Sequence, residues 1–232
     1  MNTQPIEKQV RDDGTLLAVN SIFHTIQGEG PFAGSPAIFV RLAGCNLQCP
    51  LCDTEYTNRK SIPAVEVARE AANLAFAHRS PLVVITGGEP FRQNLRPLVE
   101  NLLHLGVKVQ IETNGTLYGE LPFEHPGLTI VCSPKTGAVN KKLAPHIRAY
   151  KYVATADSLA GSPDGLPTHA LEHPNGGMLA RPHAGSEAEV YLQPVDEKNT
   201  VRNNRNLTAV VESCLKNGYR LCLQVHKLIG VD

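Results

Sequence analysis

The chain has 232 residues, of which 42% are hydrophobic, and its 22 Lys and Arg residues balance its 22 Asp and Glu residues. This length and composition fit a single α/β domain with its own core. The zero net charge argues against a direct nucleic-acid binder, and the absence of any run of 18 apolar residues argues against a transmembrane helix.

Short β-rich runs and helical segments alternate along most of the chain. The first 14 residues are polar and predict a loose N-terminal extension. Continuous apolar runs, typical of strands buried on both faces of a parallel sheet, predict strands at 37–42, 82–86, 107–112, 128–132, 150–154, 189–193 and 219–225. Helical periodicity predicts long helices at 63–78, 95–105 and 200–217, with Gly218 as a stop signal. The apolar face predicted for the third helix comprises Leu207, Val210, Val211, Cys214 and Leu215.

The links at 114–127 and 132–148 are too rich in Pro, Gly and charge for long helices. We therefore predict one domain over residues 15–232, a partial parallel α/β barrel with about six strands and three long helices. Residues 157–185 are rich in Pro and Gly and lack periodicity, which indicates an irregular insertion. Such a segment is either a functional lid or a disordered insertion.

Three cysteines, Cys45, Cys49 and Cys52, follow the first predicted strand with the spacing Cys-x3-Cys-x2-Cys. An odd set of thiols on so short a loop indicates a metal or an iron–sulfur cluster rather than a disulfide framework. No fourth cysteine is near, so one coordination position stays open, which is typical of a site that does chemistry. A structural zinc site completed by a remote His or Cys is the alternative. The other cysteines lie in apolar stretches and are expected to pack in the core: Cys132, Cys214 and Cys222.

The cysteine loop is similar to the cluster loop of radical S-adenosylmethionine (SAM) enzymes, and Gly-Gly-Glu-Pro at 87–90 resembles their SAM-binding motif. Further segments, in order from about residue 21 to near the end, resemble the 7-carboxy-7-deazaguanine synthases. These are Phe-His-Thr-Ile-Gln-Gly-Glu-Gly (23–30), Cys-Asp-Thr (52–54), Ile-Glu-Thr-Asn-Gly (111–115), Ser-Pro-Lys (133–135), Leu-Gln-Pro-Val-Asp (192–196) and Gln-Val-His-Lys (224–227). The reduced β6/α3 core of that family agrees with the predicted partial barrel.

The resemblance implies a [4Fe–4S] cluster on Cys45, Cys49 and Cys52, with SAM on the fourth iron. Reductive cleavage of SAM then gives methionine and a 5′-deoxyadenosyl radical. The Gly-Gly pair would let the backbone approach the methionine ammonium of SAM closely, and the Glu89 carboxylate could accept a hydrogen bond from it. An ordinary β-to-α turn, which also favours Gly-Gly, is the alternative. Where many members place an aromatic against adenine, Leu51 offers an aliphatic contact. The implied SAM-binding residues are Leu51, Asp53, Gly88, Glu89, Ser133, Pro134, Lys135, Gln193, Pro194, Val195 and Asp196.

The family's substrate is 6-carboxy-5,6,7,8-tetrahydropterin, and the resemblance implies that Thr54 binds Mg²⁺, which also meets the substrate carboxylate. A guanidinium such as that of Arg41 suits this carboxylate. From the residues alone, the favoured interpretations are a turn cap for Thr54, a surface ion pair for Arg41 and a core histidine for His226. The implied substrate-binding residues are Ile26, Gln27, Gly28, Glu29, Arg41, Thr86, Glu112, Asn114, His226 and Asp232.

The implied reaction is a radical ring contraction. A hydrogen leaves C6 of the pterin and is later returned, ammonia is lost, and SAM is regenerated. The product, 7-carboxy-7-deazaguanine, feeds queuosine or modified-DNA biosynthesis. The resemblance also implies a homodimer and an electron donor such as flavodoxin or ferredoxin. A glycyl-radical-enzyme activase, which shares the cluster loop, is a second alternative. Unpaired cysteines and the absence of an apolar signal segment predict a cytoplasmic protein.

Overall fold

The computed structural model describes residues 2–171 and 178–231, and these residues form a single mixed sheet. Its strands are β1 (Leu16–Ile26), β2 (Pro36–Leu42), β3 (Lys60–Pro63), β4 (Leu82–Gly87), β5 (Lys108–Thr113), β6 (Leu128–Cys132), β7 (Ile147–Ala154), β8 (Glu189–Pro194) and β9 (Arg220–Leu221). The order across the sheet is β3-β1-β2-β4-β5-β6-β7-β8-β9. Neighbouring strands from β2 to β9 pair in parallel, whereas β1 is antiparallel to both β2 and β3. The sheet does not close, which confirms the predicted partial barrel.

The helices are α1 (Ala64–Ala77), α2 (Arg96–His104), α3 (Ala156–Leu159), α4 (Thr200–Asn217) and α5 (Val225–Ile229). The three long helices match the three that periodicity predicts. Gly218, in the left-handed region at φ 73°, ends α4, as the sequence predicts. No helix in the described part of the chain is long and apolar enough to cross a membrane.

The predicted apolar face of α4 is partly wrong. Val210 and Cys214 are buried, but Leu215 is 82% exposed and Leu207 is 37% exposed. The buried stripe instead continues through Asn206, whose side-chain amide donates to the Val195 carbonyl at 3.1 Å and to Glu197 at 2.9 Å. Apolar residues alone misplaced the buried face of α4 because its first buried position, Asn206, is a hydrogen-bonded amide.

The strand predictions missed β1 and β3 and overextended β9. The strand β1 has polar residues at several positions and alternates in burial, as an antiparallel strand with one partly solvated face does. The strand β3 has four residues and ends in Pro63 at the sheet edge. The predicted strand at 219–225 is shortened to Arg220–Leu221 because the chain then turns into α5.

The N-terminal residues expected to form a loose extension are bound to the domain. A backbone bridge pairs Ile6 with Cys45, and the backbone N–H of Glu7 donates to the Cys45 carbonyl at 2.7 Å. The N–H of Val10 donates to the Arg92 carbonyl at 2.7 Å. The polar composition did not predict this attachment because backbone hydrogen bonds do not depend on residue type.

The described parts of the predicted insertion, residues 157–171 and 178–185, pack against β7. The Ala180 carbonyl accepts a hydrogen bond of 2.7 Å from the Tyr152 hydroxyl, and Arg181 pairs with Asp164 at 2.8 Å. Leu166 and Leu179 are buried in the main core. Residues 172–177 lie outside the described residues. The three cysteines expected in the core, Cys132, Cys214 and Cys222, are buried and free, which confirms that prediction.

Candidate active site

A cavity of about 1100 Å³ collects most of the predicted site residues. Those that line it are Ile26, Gln27, Glu29, Arg41, Cys45, Cys49, Leu51, Cys52, Asp53, Thr54, Thr86, Gly88, Glu112, Asn114, Ser133, Lys135, Gln193, Val195, Asp196 and His226. Four others, Gly28, Glu89, Pro134 and Pro194, do not line it, and Asp232 lies outside the described residues. Most of the lining follows the carboxyl ends of parallel strands, where active sites in such sheets form.

The cysteine loop follows β2 and presents Cys45, Cys49 and Cys52 to one end of the cavity. Cys45 and Cys49 are buried, Cys52 is half-buried, and all three are free. Burial raises the pKa of each thiol, that of Cys45 to about 12. In the described residues, no three His, Cys, Asp or Glu side chains form a group that could hold one metal ion. Three thiols that face a shared cavity fit a cluster in which each thiolate binds a different iron.

The Gly87-Gly88 segment lies directly against the start of the cysteine loop. The N–H of Gly88 donates to the Leu42 carbonyl at 3.2 Å, and the N–H of Glu89 donates to the Gly44 carbonyl at 3.0 Å. A Cβ on Gly88 would overlap the Gly44 carbonyl. The glycines therefore permit close packing of backbone on backbone, a need that the sequence did not distinguish from an approach to SAM.

The Glu89 carboxylate is fully buried and joins the end of β4 to the end of β5. It accepts hydrogen bonds from the Thr113 hydroxyl at 2.7 Å, the Asn114 N–H at 2.7 Å and the Phe91 N–H at 3.0 Å. Burial raises the pKa of Glu89 to about 7, although these hydrogen bonds oppose the rise. Both oxygens are thus occupied within the protein, and a contact with the SAM ammonium stays a prediction.

A second carboxylate, Glu112, is oriented by donors from three strands or their ends. It accepts from the side-chain amides of Gln27 at 3.0 Å and Gln110 at 2.9 Å, and from the Thr86 hydroxyl at 3.3 Å. Thr86 and Glu112 directly follow the paired residues Ile85 and Ile111 of adjacent parallel strands, so their side chains share the face that lines the cavity. The result is a fixed acceptor in the cavity wall.

The third carboxylate, Glu29, forms an ion pair with Lys151 in the cavity wall. It also accepts from the side-chain amides of Gln224 at 2.8 Å and Gln193 at 3.2 Å. Burial favours the neutral acid, but the Lys151 charge and the hydrogen bonds outweigh it and lower the pKa of Glu29. Burial also favours the neutral form of Lys151 and would by itself lower its pKa. The Glu29 charge outweighs this effect, so the pKa of Lys151 is raised.

Sequence reasoning missed Lys151, Gln110 and Gln224 as site residues. The signal that could have found Lys151 is its charge inside the otherwise apolar run 150–154. Burying an unpaired charge in a strand costs free energy, so a buried lysine there is expected to have an acidic partner. The loop from residue 27 to residue 35, which carries Glu29, enters from the amino end of β2. Its site residues, Gln27, Gly28 and Glu29, were therefore predicted from the family resemblance and not from a position after a parallel strand.

Arg41 lies in the cavity with its guanidinium carbon 5.6 Å from the centre of the Phe23 ring. The Phe23 ring stacks on that of Phe39, with 5.5 Å between ring centres. Among the described residues no acidic side chain forms an ion pair with Arg41. The guanidinium thus lies over an aromatic surface, with its hydrogen-bond donors available to a ligand.

His226 reaches the cavity because Gly28 has no side chain. A Cβ on Gly28 would overlap the His226 ring, and the N–H of Val225 donates to the Gly28 carbonyl at 3.1 Å. Gly28 therefore supports the site without lining it. The next residue, Lys227, was not predicted as a site residue, and it pairs with Asp53 at 3.2 Å and with Asp196 at 3.8 Å.

Several of the remaining predicted residues are held by side-chain hydrogen bonds. The Lys135 ammonium donates to the Ser133 hydroxyl at 2.6 Å and to the Ser133 carbonyl at 2.9 Å. The Asn114 amide donates to Asn46 at 3.0 Å, which ties the end of β5 to the cysteine loop. Thr54 is half-buried, and its hydroxyl donates to the exposed Asp53 carboxylate at 3.4 Å.

The fold and the three-thiol loop define the chain as a radical SAM enzyme, and residues 40–124 match the family model described as "Radical SAM superfamily". An enzyme of this class needs a reductant.

The chain is 45% identical over 225 residues to the 7-carboxy-7-deazaguanine synthase of Rhodospirillum rubrum, with 94% of each chain covered. It is 40% identical over 232 residues to the synthase of Rickettsia prowazekii, which covers 95% of this chain and 91% of the relative. It belongs to the 7-carboxy-7-deazaguanine synthase family, and neither the activase nor the zinc alternative is favoured. The crystal structure of QueE from Escherichia coli superposes with a TM-score of 0.63 at 23% identity, over 90% of this chain and 93% of that one, which supports the fold.

Proposed function

We propose that this protein converts 6-carboxy-5,6,7,8-tetrahydropterin to 7-carboxy-7-deazaguanine with loss of ammonia. The observation that carries the proposal is a single cavity with two unlike ends. The thiols of Cys45, Cys49 and Cys52 follow the carboxyl end of β2, whereas Glu29 lies on the loop that enters the amino end of β2, and Glu112 accepts a hydrogen bond from Gln27 of that loop. This arrangement would hold a polar heterocycle at the second end close to a reactive group supplied at the first.

The cysteine end would hold the [4Fe–4S] cluster and SAM. When bound, they supply the 5′-deoxyadenosyl radical that removes hydrogen from carbon. A side pocket of about 110 Å³ is lined by four aliphatic and four polar residues, Leu51, Val153, Leu171, Val195, Thr155, Asp157, His169 and Glu197. Leu51 would give the adenine an aliphatic contact there. Ser133, Lys135 and the ion-paired Asp196 present polar groups to the same cavity and would orient the rest of SAM.

The other end would bind the pterin acid. Arg41 would pair with the substrate carboxylate, because its guanidinium has fixed donors and no acidic partner among the described residues. The ring N–H groups would donate to Glu112 and Glu29, whose oxygens are fixed by neighbouring amides. Ile26, Thr86, Asn114 and His226 line the cavity and would complete the pocket wall.

Thr54 would contribute its hydroxyl oxygen to Mg²⁺, a hard cation that keeps several waters and accepts oxygen ligands. The half-buried Thr54 hydroxyl lines the cavity beside Asp53, which supports this assignment. We further infer a cytoplasmic homodimer that receives electrons from a donor such as flavodoxin or ferredoxin. Six free cysteines support a reducing compartment.

Ligand binding tests the proposal without turnover. Wild-type protein should bind the pterin acid, and Arg41→Ala should weaken this binding by roughly 2–5 kcal/mol while SAM affinity changes little. Arg96→Ala is the matched control, because Arg96 is 60% exposed in its pair with Glu100. Equal affinity of Arg41→Ala and wild type for the pterin acid would remove Arg41 from the substrate site.

A further inference from the structure

The N-terminal segment, residues 2–10, lies along the cysteine loop from its start to its end. Glu7 donates its N–H to the Cys45 carbonyl at 2.7 Å, and the N–H of Asn2 donates to the Pro50 carbonyl at 3.0 Å. The Gln4 side-chain amide donates to the Thr54 carbonyl at 2.9 Å and accepts from the Tyr56 N–H at 2.7 Å. This segment therefore fixes the backbone on which all three thiols are carried.

A buried cation lies beneath the same loop. The Arg92 side chain is 5% exposed, and its Nη2 donates to the Ala43 carbonyl at 3.0 Å. Its guanidinium packs directly on Gly44, where a Cβ would overlap Nε. Among the described residues Nε has no hydrogen-bond partner. The permanent charge of Arg92 is thus placed against the residue that precedes the first cysteine.

The N-terminal segment brings one counter-charge to Arg92. The Glu7 carboxylate lies 3.3 Å from Arg92 Nη1, and the more exposed Arg59 donates to both of its oxygens, at 2.5 and 2.9 Å. Arg92, Glu7 and Arg59 therefore lie side by side behind Cys45. The Arg92 side chain is 5% exposed, against 22% for Glu7 and 37% for Arg59, so the field of Arg92 is the least screened by solvent.

The potential of an iron–sulfur cluster depends on nearby charge and hydrogen bonding. Reduction adds an electron to a cluster held by thiolates, so a nearby cation stabilises the reduced state and an anion destabilises it. We propose that Arg92 raises the reduction potential of the cluster and that Glu7 partly offsets this rise. Both residues would then set how readily the cluster accepts an electron. The proposal rests on the family's cluster and is independent of the pterin substrate.

The test is the midpoint potential of the reconstituted cluster, measured in an anaerobic titration followed by electron paramagnetic resonance. Arg92→Gln should make the potential more negative, and Glu7→Gln should make it less negative. Arg92→Lys, which keeps the charge, should stay close to wild type. Glu100→Gln, which removes the acid of the exposed Arg96–Glu100 pair, is the matched control and should leave the potential unchanged.

Opposite shifts separate an electrostatic role from a structural one, because loosening of the loop would move Arg92→Gln and Glu7→Gln in the same direction. Shifts of the same sign, or potentials equal to that of Glu100→Gln, would overturn the proposal. If Arg92→Gln does not retain iron, the potentials of Glu7→Gln and Arg92→Lys test the proposal instead. A Glu7→Gln potential that is unchanged from wild type or more negative contradicts the proposal.

Discussion

Glu29 and Lys151 form a buried ion pair that joins the loop before β2 to the middle of β7, with side chains 14% and 8% exposed. The same carboxylate accepts hydrogen bonds from Gln193 and Gln224, so groups from β8 and from the start of α5 meet on one anion. The pair thus holds together parts of the cavity wall that are distant in sequence.

Replacing Lys151 with Met should destabilise the protein by roughly 3–5 kcal/mol, because it leaves the Glu29 charge buried without its partner. Denaturant unfolding of the cluster-free protein would measure this. Arg96→Met removes one partner of an exposed pair and should cost less than about 1 kcal/mol. A Lys151→Met protein as stable as Arg96→Met would show that the pair does not hold the wall.

The contribution of Glu29 to stability should depend on pH. Its pKa is lowered from 4.5 to about 2 in the folded protein, so it stabilises the fold above pH 4.5 and this stabilisation is lost as pH falls towards 2. The difference in unfolding free energy between wild type and Glu29→Gln should therefore be constant from pH 5 to about pH 7 and shrink below pH 4.5. A difference that grows on acidification would reverse the sign of the argument.

Each of Cys45→Ala, Cys49→Ala and Cys52→Ala should abolish SAM cleavage, since each would remove one of the three proposed iron ligands. Wild-type protein reconstituted without oxygen should bind about four iron and four sulfide. Cys214→Ala, on α4, is the control and should keep the wild-type iron content, because Cys214 is buried in the hydrophobic core. Full SAM cleavage by any of the three loop variants would exclude that cysteine as a ligand.

Thr54→Ala should weaken the response of turnover to Mg²⁺, whereas Thr54→Ser, which keeps a hydroxyl, should largely preserve it. The measurement is the rate as a function of Mg²⁺ concentration after treatment with chelator. Identical rates in chelator and in excess Mg²⁺ would show that the metal has no part in the reaction.

The parallel core was predictable from sequence because buried strands are apolar runs and because α1, α2 and α4 have clear helical periodicity. The cysteine loop was equally predictable, since its spacing is local. The strand β1 was not, because its partly solvated face breaks the apolar run. Lys151 and Arg92 were missed because their roles depend on partners at positions 29 and 7, which only the folded chain brings together.

Turnover is the most direct test of the proposed function. The reduced, cluster-loaded protein is incubated without oxygen with SAM, Mg²⁺ and 6-carboxy-5,6,7,8-tetrahydropterin, and products are followed by mass spectrometry. The account predicts 7-carboxy-7-deazaguanine in excess of the SAM consumed, and strongly reduced formation with Arg41→Ala. Slow SAM cleavage with the pterin left unchanged would contradict the synthase assignment.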